Sequence, residues 1–435
     1  MSEKEDIKGL SRRDFIKGVG ITTAGLLAGS FIGGKALAET AATPTLGRVI
    51  GANDQINFGV IGVGGMGSGH LVNLLGIQQE QNLKVAAVCD VFKNRREGCA
   101  GAAKLSLDNA YSDYRKLLDR KDIDAVVIAT PDHWHSTITI AALEAGKHVY
   151  VEKPMTRYFK EALKVYDTAK HTGKIIQVGS QGCTDAKWHT AGKLVRDGKI
   201  GKVIWAQGSY CRNNPNGEWN YDIDKNVTPE TLDWKTWEGS APKHEFSPQR
   251  YHRWRKYWDY GTGIIGDLWP HRLHPLMIAL ALEEFPKRIS CVGSIMCHTD
   301  HLPDEPRDVA EATLLQVEFP NGAMIFLAGS TVNERGIEDM IRGQKANLFF
   351  GGDKVRIEPE RPYSEEIEAA DVPVVGPGES HTEHMKNFIS CIRNGGVPNC
   401  NVDLATRVMA MVAGAEISYR ESRMVTYDPN SRKFI

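Results

Sequence analysis

The stretch QINFGVIGVGGMGSGHLVNLL, residues 55–75, decides the fold. A short apolar run from Gln55 to Ile61 ends in Gly62-Val63-Gly64-Gly65-Met66-Gly67, and a helical pattern follows from about Ser68 to Leu75. Strand, GxGxxG and helix in this order predict a phosphate-binding turn. Gly62 permits the tight turn, Gly64 lets a pyrophosphate approach the backbone, and Gly67 allows the helix to pack closely on the strand. The helix start, with Gly65 and Met66, offers free N–H groups to the phosphates.

Working outward, Lys84 to Cys89 reads as a second strand ending in Asp90, the acidic position whose carboxylate is expected to accept from the adenosine ribose hydroxyls and favour NAD. Lys93, Arg95 and Arg96 follow, so NADP stays open; a simple strand-end cap is the alternative role for Asp90. Asp124 to Thr130, His148 to Val151 and Ile175 to Gly179 are further apolar runs, with a helical pattern between the first two that ends near Gly146. Alternating strands and helices predict a doubly wound parallel sheet, an α/β fold of the Rossmann type. Thr130-Pro131 and Glu152-Lys153-Pro154 fall at strand ends, where such sheets bind ligands. These residues, with His133 and His135, are expected around the nicotinamide.

The runs ATPDHWH and GKHVYVEKPMT behind that glycine turn resemble the Gfo/Idh/MocA family of sugar and cyclitol oxidoreductases. Farther on, LDWKTWEGSAPKHEFSP, WDYGTGIIGDLWPH and HMKNFISCIRNGGVPNCNVD are similar to its exported bacterial members, so the resemblance runs from about residue 54 to the C-terminus. It implies a dinucleotide-binding part over 54–180 and a substrate-binding and oligomerisation part over 181–435, an α/β domain with an open, mostly antiparallel sheet. The residues agree: Leu315, Val317 and Phe319 alternate with Gln316 and Glu318, Pro320-Asn321-Gly322 supplies a turn, and Ala323 to Leu327 returns. Val203 to Gly208 and Arg288 to Gly293 read as further strands. An open apolar sheet face is normally covered, so a homo-oligomer is expected.

Oxidising a carbinol requires a hydride facing the nicotinamide, a base for the hydroxyl proton and a cation for the developing alkoxide. Lys153 fits the cation; its alternative is a surface lysine paired with Glu152. The resemblance assigns substrate contact and proton relay to Asp267 and His271. The bland alternative is a capping aspartate and a packed histidine, with Pro270 in the first turn of a helix beginning there. The family often continues Asp-x-Gly-x-His-x-x-Asp, whereas this chain has Trp269 and His274, which puts the hydroxyl contacts in question. The aromatic stretch Trp234 to Tyr260 includes Trp254 and Arg255, expected either to hold a sugar together with His274 or to pack between domains. No histidine shows zinc-ligand spacing, so no metal is expected.

Upstream, SRRDFIKG at 11–18 resembles a twin-arginine export signal, followed by a glycine-rich apolar stretch and Ala36-Leu37-Ala38. Residues 1–38 are therefore expected to be removed and 39–53 to be a linker, with the twin-arginine export machinery as partner and the periplasm as destination. That apolar stretch is too short for a stable membrane anchor. The formal net charge of −1 gives no basis for nucleic-acid binding. Eight cysteines without CxxC spacing read as buried thiols. A protein exported folded is expected to carry its NAD from the cytoplasm. Three activities fit: a sugar or glycoside oxidoreductase, a redox-neutral glycosidase that oxidises, eliminates, hydrates and re-reduces, or a non-catalytic carbohydrate-binding scaffold. Exported relatives of the glycosidase kind lack the EKP lysine, so Lys153 favours the first.

Overall fold

The computed structural model describes residues 51, 54–299 and 306–435; the twin-arginine stretch and its cleavage positions lie outside the described residues. Six strands, β1 Ile56–Ile61, β2 Leu83–Cys89, β3 Ala110–Tyr111, β4 Ala125–Ile128, β5 His148–Glu152 and β6 Ile176–Gly179, form one sheet in the order β3-β2-β1-β4-β5-β6. Every pairing in it is parallel. Its central strands are near-continuous apolar runs because both faces are covered; β4 is buried at every position. The order reverses between β1 and β4, and the crevice above their carboxyl ends is where the glycine turn sits.

The second sheet has ten strands: β7 Val203–Cys211, β8 Arg288–Ser294, β9 Ala312–Glu318, β10 Met324–Ser330, β11 Met340–Gly343, β12 Ala346–Phe350, β13 Lys354–Pro359, β14 Ala370–Pro373, β15 Val425–Asp428 and β16 Lys433–Phe434. It is antiparallel except where β10 runs parallel to β7. The predicted hairpin forms with Met324 opposite Glu318, and Gly322 takes φ +88°, which explains a glycine at that turn. Alternation places Leu315 and Val317 inside, while Leu314 stays exposed beside Val292.

Two connections bring these sheets to one cleft. The 20-residue helix Val402–Glu421 packs on β8 and on the helix Phe159–Thr172. Arg157, 1% exposed at its side chain, reaches Glu416 of that helix through Nη1 at 2.6 Å and Nη2 at 2.9 Å, and also donates to the Trp258 carbonyl. Replacing Arg157 by leucine leaves a buried carboxylate with Arg420 alone. The expected loss is about 3–5 kcal/mol of unfolding free energy, read by urea denaturation; an unchanged midpoint would show that Arg420 suffices. The second connection is the segment between β7 and β8. It lies across the end of β2 through a Phe92–Leu232 bridge and the Lys93 N–H donating to Thr231 O.

All eight cysteines are free thiols, with Cys89, Cys183, Cys291, Cys391 and Cys400 buried. Among the described residues no helix is long and apolar enough to cross a membrane.

Candidate active site

The glycine turn has the geometry its residues imply. Gly62 takes φ +81°, open only to glycine at low cost, and a Cβ on Gly67 would stand 1.8 Å from the Gly62 carbonyl oxygen. The helix Gly65–Ile77 carries no side-chain cap and no acidic residue in its first turn, which leaves its leading N–H groups to an anion. Gly62, Gly64, Gly65 and Met66 line a cleft of about 610 Å³. Asp90 lines it too, and its two carboxylate oxygens accept from the Val63 N–H at 2.9 Å and the Phe92 N–H at 2.8 Å. Asp90 therefore caps the end of the strand, and each carboxylate oxygen keeps a lone pair after its backbone bond.

At the other end of the cleft the helix Asp132–Glu144 follows β4, and Thr130, Pro131, Asp132, His135, Glu152 and Lys153 all line the wall. Thr130 Oγ1 is buried with no partner, a polar atom left for a ligand. The His135 ring lies between two carbonyls, Thr130 O at 2.8 Å and Pro154 O at 2.7 Å, and so joins the two loops. Glu152 is buried and bonded to His70 Nε2 at 2.7 Å; burial works to raise its carboxyl, but His70 and Lys153 outweigh it and bring it down to about 2.

Lys153 is not a surface residue. Its Nζ donates to Asp267 Oδ1 at 2.8 Å and to the Asp267 carbonyl at 2.8 Å. Arg255 Nε reaches the same Oδ1 at 2.8 Å, and Trp219 Nε1 donates to Oδ2 at 3.2 Å. Burial acts to raise Asp267, yet Arg255 and Lys153 overcome it and hold the carboxyl well below the usual carboxylate range. Asp267 is thus a fixed anion that aims two cations.

The remaining expectations divide. Pro270 opens the helix Pro270–Ala279, as the sequence predicts. His271 stacks on Tyr210, with ring centroids 5.3 Å apart; burial and Lys153 push its imidazole down to about 3 despite Asp267, and it is not among the residues lining the cleft. His274 is not brought to the cleft either: 1% exposed, its Nδ1 donates to Pro270 O at 2.9 Å within its own helix. His133 turns away as well. Its Nε2 meets the Trp237 carbonyl at 2.9 Å in the aromatic cluster with Tyr260. The helix begins at Asp132, so its rotation presents Asp132 and His135 to the cleft and sends His133 behind it. Trp269 fills space beneath, where a Cβ on Gly329 would lie 2.6 Å from its indole nitrogen. The aromatic stretch does both: Trp237, Tyr251, Tyr257 and Tyr260 form one buried cluster, and Trp237 and Tyr251, with Trp254 and Arg255, also line the cleft. Trp219 and Asp132 were not expected. Trp219 lies in an irregular loop with no periodic signal, and Asp132 needed only the correct helix start.

Among the described residues no group of histidine, cysteine and carboxylate side chains is arranged to hold a metal ion. The cleft instead fits a dinucleotide: a helix start with free N–H groups, an acidic residue at the end of β2, and the unpartnered Thr130 hydroxyl after β4. A family model described as an oxidoreductase family with an NAD-binding Rossmann fold matches residues 56–180, and one for the C-terminal alpha/beta domain of the same family matches 213–435. The chain belongs to the Gfo/Idh/MocA oxidoreductase family.

Among Gfo/Idh/MocA relatives, levoglucosan dehydrogenase of Pseudarthrobacter phenanthrenivorans is 25% identical over 388 residues, 79% of this chain and 90% of that protein. A glycosyl hydrolase family 109 protein of Shewanella pealeana is 29% identical over 242 residues, and the match spans half the length of that relative. Levoglucosan dehydrogenase solved with NADH and levoglucosan superposes with a TM-score of 0.64 at 21% identity, covering 88% of this chain and 99% of the other. This likeness shows that the fold is shared. The protein is an oxidoreductase with an NAD-binding Rossmann domain.

Proposed function

We propose that this oxidoreductase acts on a ring hydroxyl of a sugar, glycoside or cyclitol, after export through the twin-arginine route with its dinucleotide already bound. One observation carries the catalytic reading: the Lys153–Asp267–Arg255 cluster stands at one end of the cleft whose other end is the glycine turn and Asp90. The dinucleotide, held by Gly62 to Gly67, Asp90 and Thr130, supplies the hydride acceptor. Lys153, aimed by Asp267, is placed to hold the substrate oxygen and favour its negative charge. Trp254, with the Arg255 guanidinium 4.2 Å above its ring, offers a flat apolar face and donors suited to a sugar. The export reading rests on the sequence of residues 11–38 alone. A compartment poor in free NAD favours a cofactor held tightly between turnovers. The exposed Ile204, Val292, Leu314 and Met324 on the strands of the second sheet support a homo-oligomer.

The test is incubation of the purified protein with levoglucosan, free hexoses and cyclitols. Appearance of the reduced-nicotinamide absorbance band is the expected result. A glycosidase is the second reading, favoured by the relatives named for glycosyl hydrolase family 109 and by the alpha-N-acetylgalactosaminidase of Shewanella oneidensis, 28% identical over 240 residues. Release of phenol from an aryl N-acetylgalactosaminide without added acceptor would replace the first reading by this one. A preparation that binds no NADH would defeat both.

A further inference from the structure

The dinucleotide cleft takes its walls from two distant stretches of the chain. One wall is the glycine turn with Asp90 and Arg95; the facing one comes from the segment between β7 and β8, through Thr236, Trp237, Tyr251 and His252. In a sheet of this kind the acidic residue after β2 marks the adenosine half of the cofactor. The facing wall therefore covers that half.

This wall is tied down on both sides of the crevice. After β2, Leu232 bridges Phe92, the Lys93 N–H donates to Thr231 O at 2.9 Å, and the Asp233 N–H donates to Val91 O at 3.2 Å. At the helix after β4, Trp134 Nε1 donates to Trp237 O at 2.7 Å, and a Cβ on Gly239 would lie 2.5 Å from the Trp134 ring. The strand order β2-β1-β4 puts the end of β1, where the glycine turn begins, between these two anchors. The span from Leu232 to Trp237 thus crosses the crevice. A third tie lies closest to the turn. Arg95 Nη1 donates to Tyr251 Oη at 2.9 Å, and the guanidinium carbon stands 5.1 Å from the Tyr251 ring centre. A Cβ on Gly64 would meet the same Nη1 at 3.2 Å, so the guanidinium lies against the turn itself. Tyr251 is 5% exposed, so water competes little for this bond, and a charged donor makes it stronger than a neutral one.

We propose that the segment from Thr231 to His252 is the outer wall of the adenosine site and that the bond between Arg95 and Tyr251 fastens it, so that a dinucleotide enters and leaves only when this bond opens. This rests on the reading above of a cofactor kept between turnovers, and it names what keeps it. The ties join groups of the chain itself, so entry and exit must both break them. A fastening of this kind slows both rates and leaves the equilibrium nearly unchanged. A contact made to the ligand instead changes the exit rate and the affinity together.

The test compares wild type with Tyr251→Phe, which removes the hydroxyl and keeps the ring between Phe92 and Trp237. Stopped-flow fluorescence gives the NADH uptake rate from its concentration dependence and the release rate on mixing with excess ADP-ribose; titration gives Kd. Tyr251→Phe is expected to raise both rates by about tenfold, with Kd within about threefold of wild type. Tyr257→Phe is the control, because its hydroxyl belongs to the same aromatic cluster but accepts from Gln249 of the same segment. It is expected to leave both rates within about twofold. Rates for Tyr251→Phe within about twofold of wild type would overturn the inference. So would a faster release with Kd raised in step, which would make Tyr251 a ligand contact, and so would equal acceleration by Tyr257→Phe, which would mean general loosening. A wild-type protein that binds no NADH would overturn the cofactor reading and the fastening with it; one that holds NADH but moves hydride from no polyol would overturn the sugar reading alone.

Discussion

Replacing Lys153 by methionine is expected to lower kcat by about 10³-fold, ~4 kcal/mol of barrier, while leaving NADH binding nearly unchanged. The ammonium sits 2.8 Å from Asp267 Oδ1, in a site where its side chain is 8% exposed. An electrostatic contact there is worth far more than one in water. Asp267 keeps Arg255 and Trp219 when Lys153 is removed, so the buried anion is not left alone and the fold should survive. The substrate oxygen loses the cation that steadies its charge as the hydride departs. Methionine keeps an unbranched apolar stem one atom shorter, so the measurement reports chiefly the loss of the charge. Single-turnover reduction of bound NAD after mixing with substrate reads the chemical step directly. A variant within tenfold of wild type, a difference of about 1.4 kcal/mol, would remove Lys153 from the chemistry.

Substitution of Gly67 by alanine should weaken NADH binding by at least about 100-fold, ~2.7 kcal/mol, and destabilise the protein by about 1–3 kcal/mol. The reason is backbone against backbone. The added Cβ would lie 1.8 Å from the Gly62 carbonyl oxygen, and no side-chain rotation relieves that overlap. The helix Gly65–Ile77 must move off β1, and the N–H groups that face the cleft move with it. Gly69, two positions later in the same helix, is the control. A Cβ there meets nothing within 4 Å, so Gly69→Ala should bind NADH normally and gain about 0.5–1 kcal/mol from helix propensity. Calorimetric titration with NADH and urea denaturation separate the two effects. Equal behaviour of the two alanine variants would mean that the turn does not hold the dinucleotide.

The parts of the site that lie on one strand and the turn after it were legible in the sequence, because the chemistry is local. Gly62, Gly64 and Gly67 act through their own backbone, and Asp90 through the backbone of Val63 and Phe92. Lys153 was legible as a cleft residue from its place after β5. The histidines were less so. His133 and His135 are two residues apart, and only the rotation of the helix that starts at Asp132 distinguishes the one facing the cleft from the one buried behind it. A family pattern carries an aspartate at position 274, so the sequence suggests a substrate contact for His274. In the structure its ring turns back onto Pro270 O, one turn earlier in its helix.

What the chain determined by itself was the order of its elements and the location of the dinucleotide turn: period-two and continuous apolar runs, glycines at a strand end and a hairpin signal at Pro320 to Gly322 are written within a few residues of one another. The tertiary structure alone decided the charge cluster. Lys153 meets Asp267 across 114 positions, Trp219 meets it across 48, and Arg255 approaches through an irregular segment that no periodicity describes. Those contacts arise because two sheets bury their faces around shared helices, and the ends of β5 and of the loop before Pro270 are thereby carried into one low-dielectric crevice. Local pattern places a residue on an element; which charges then share that crevice follows only from how the elements pack.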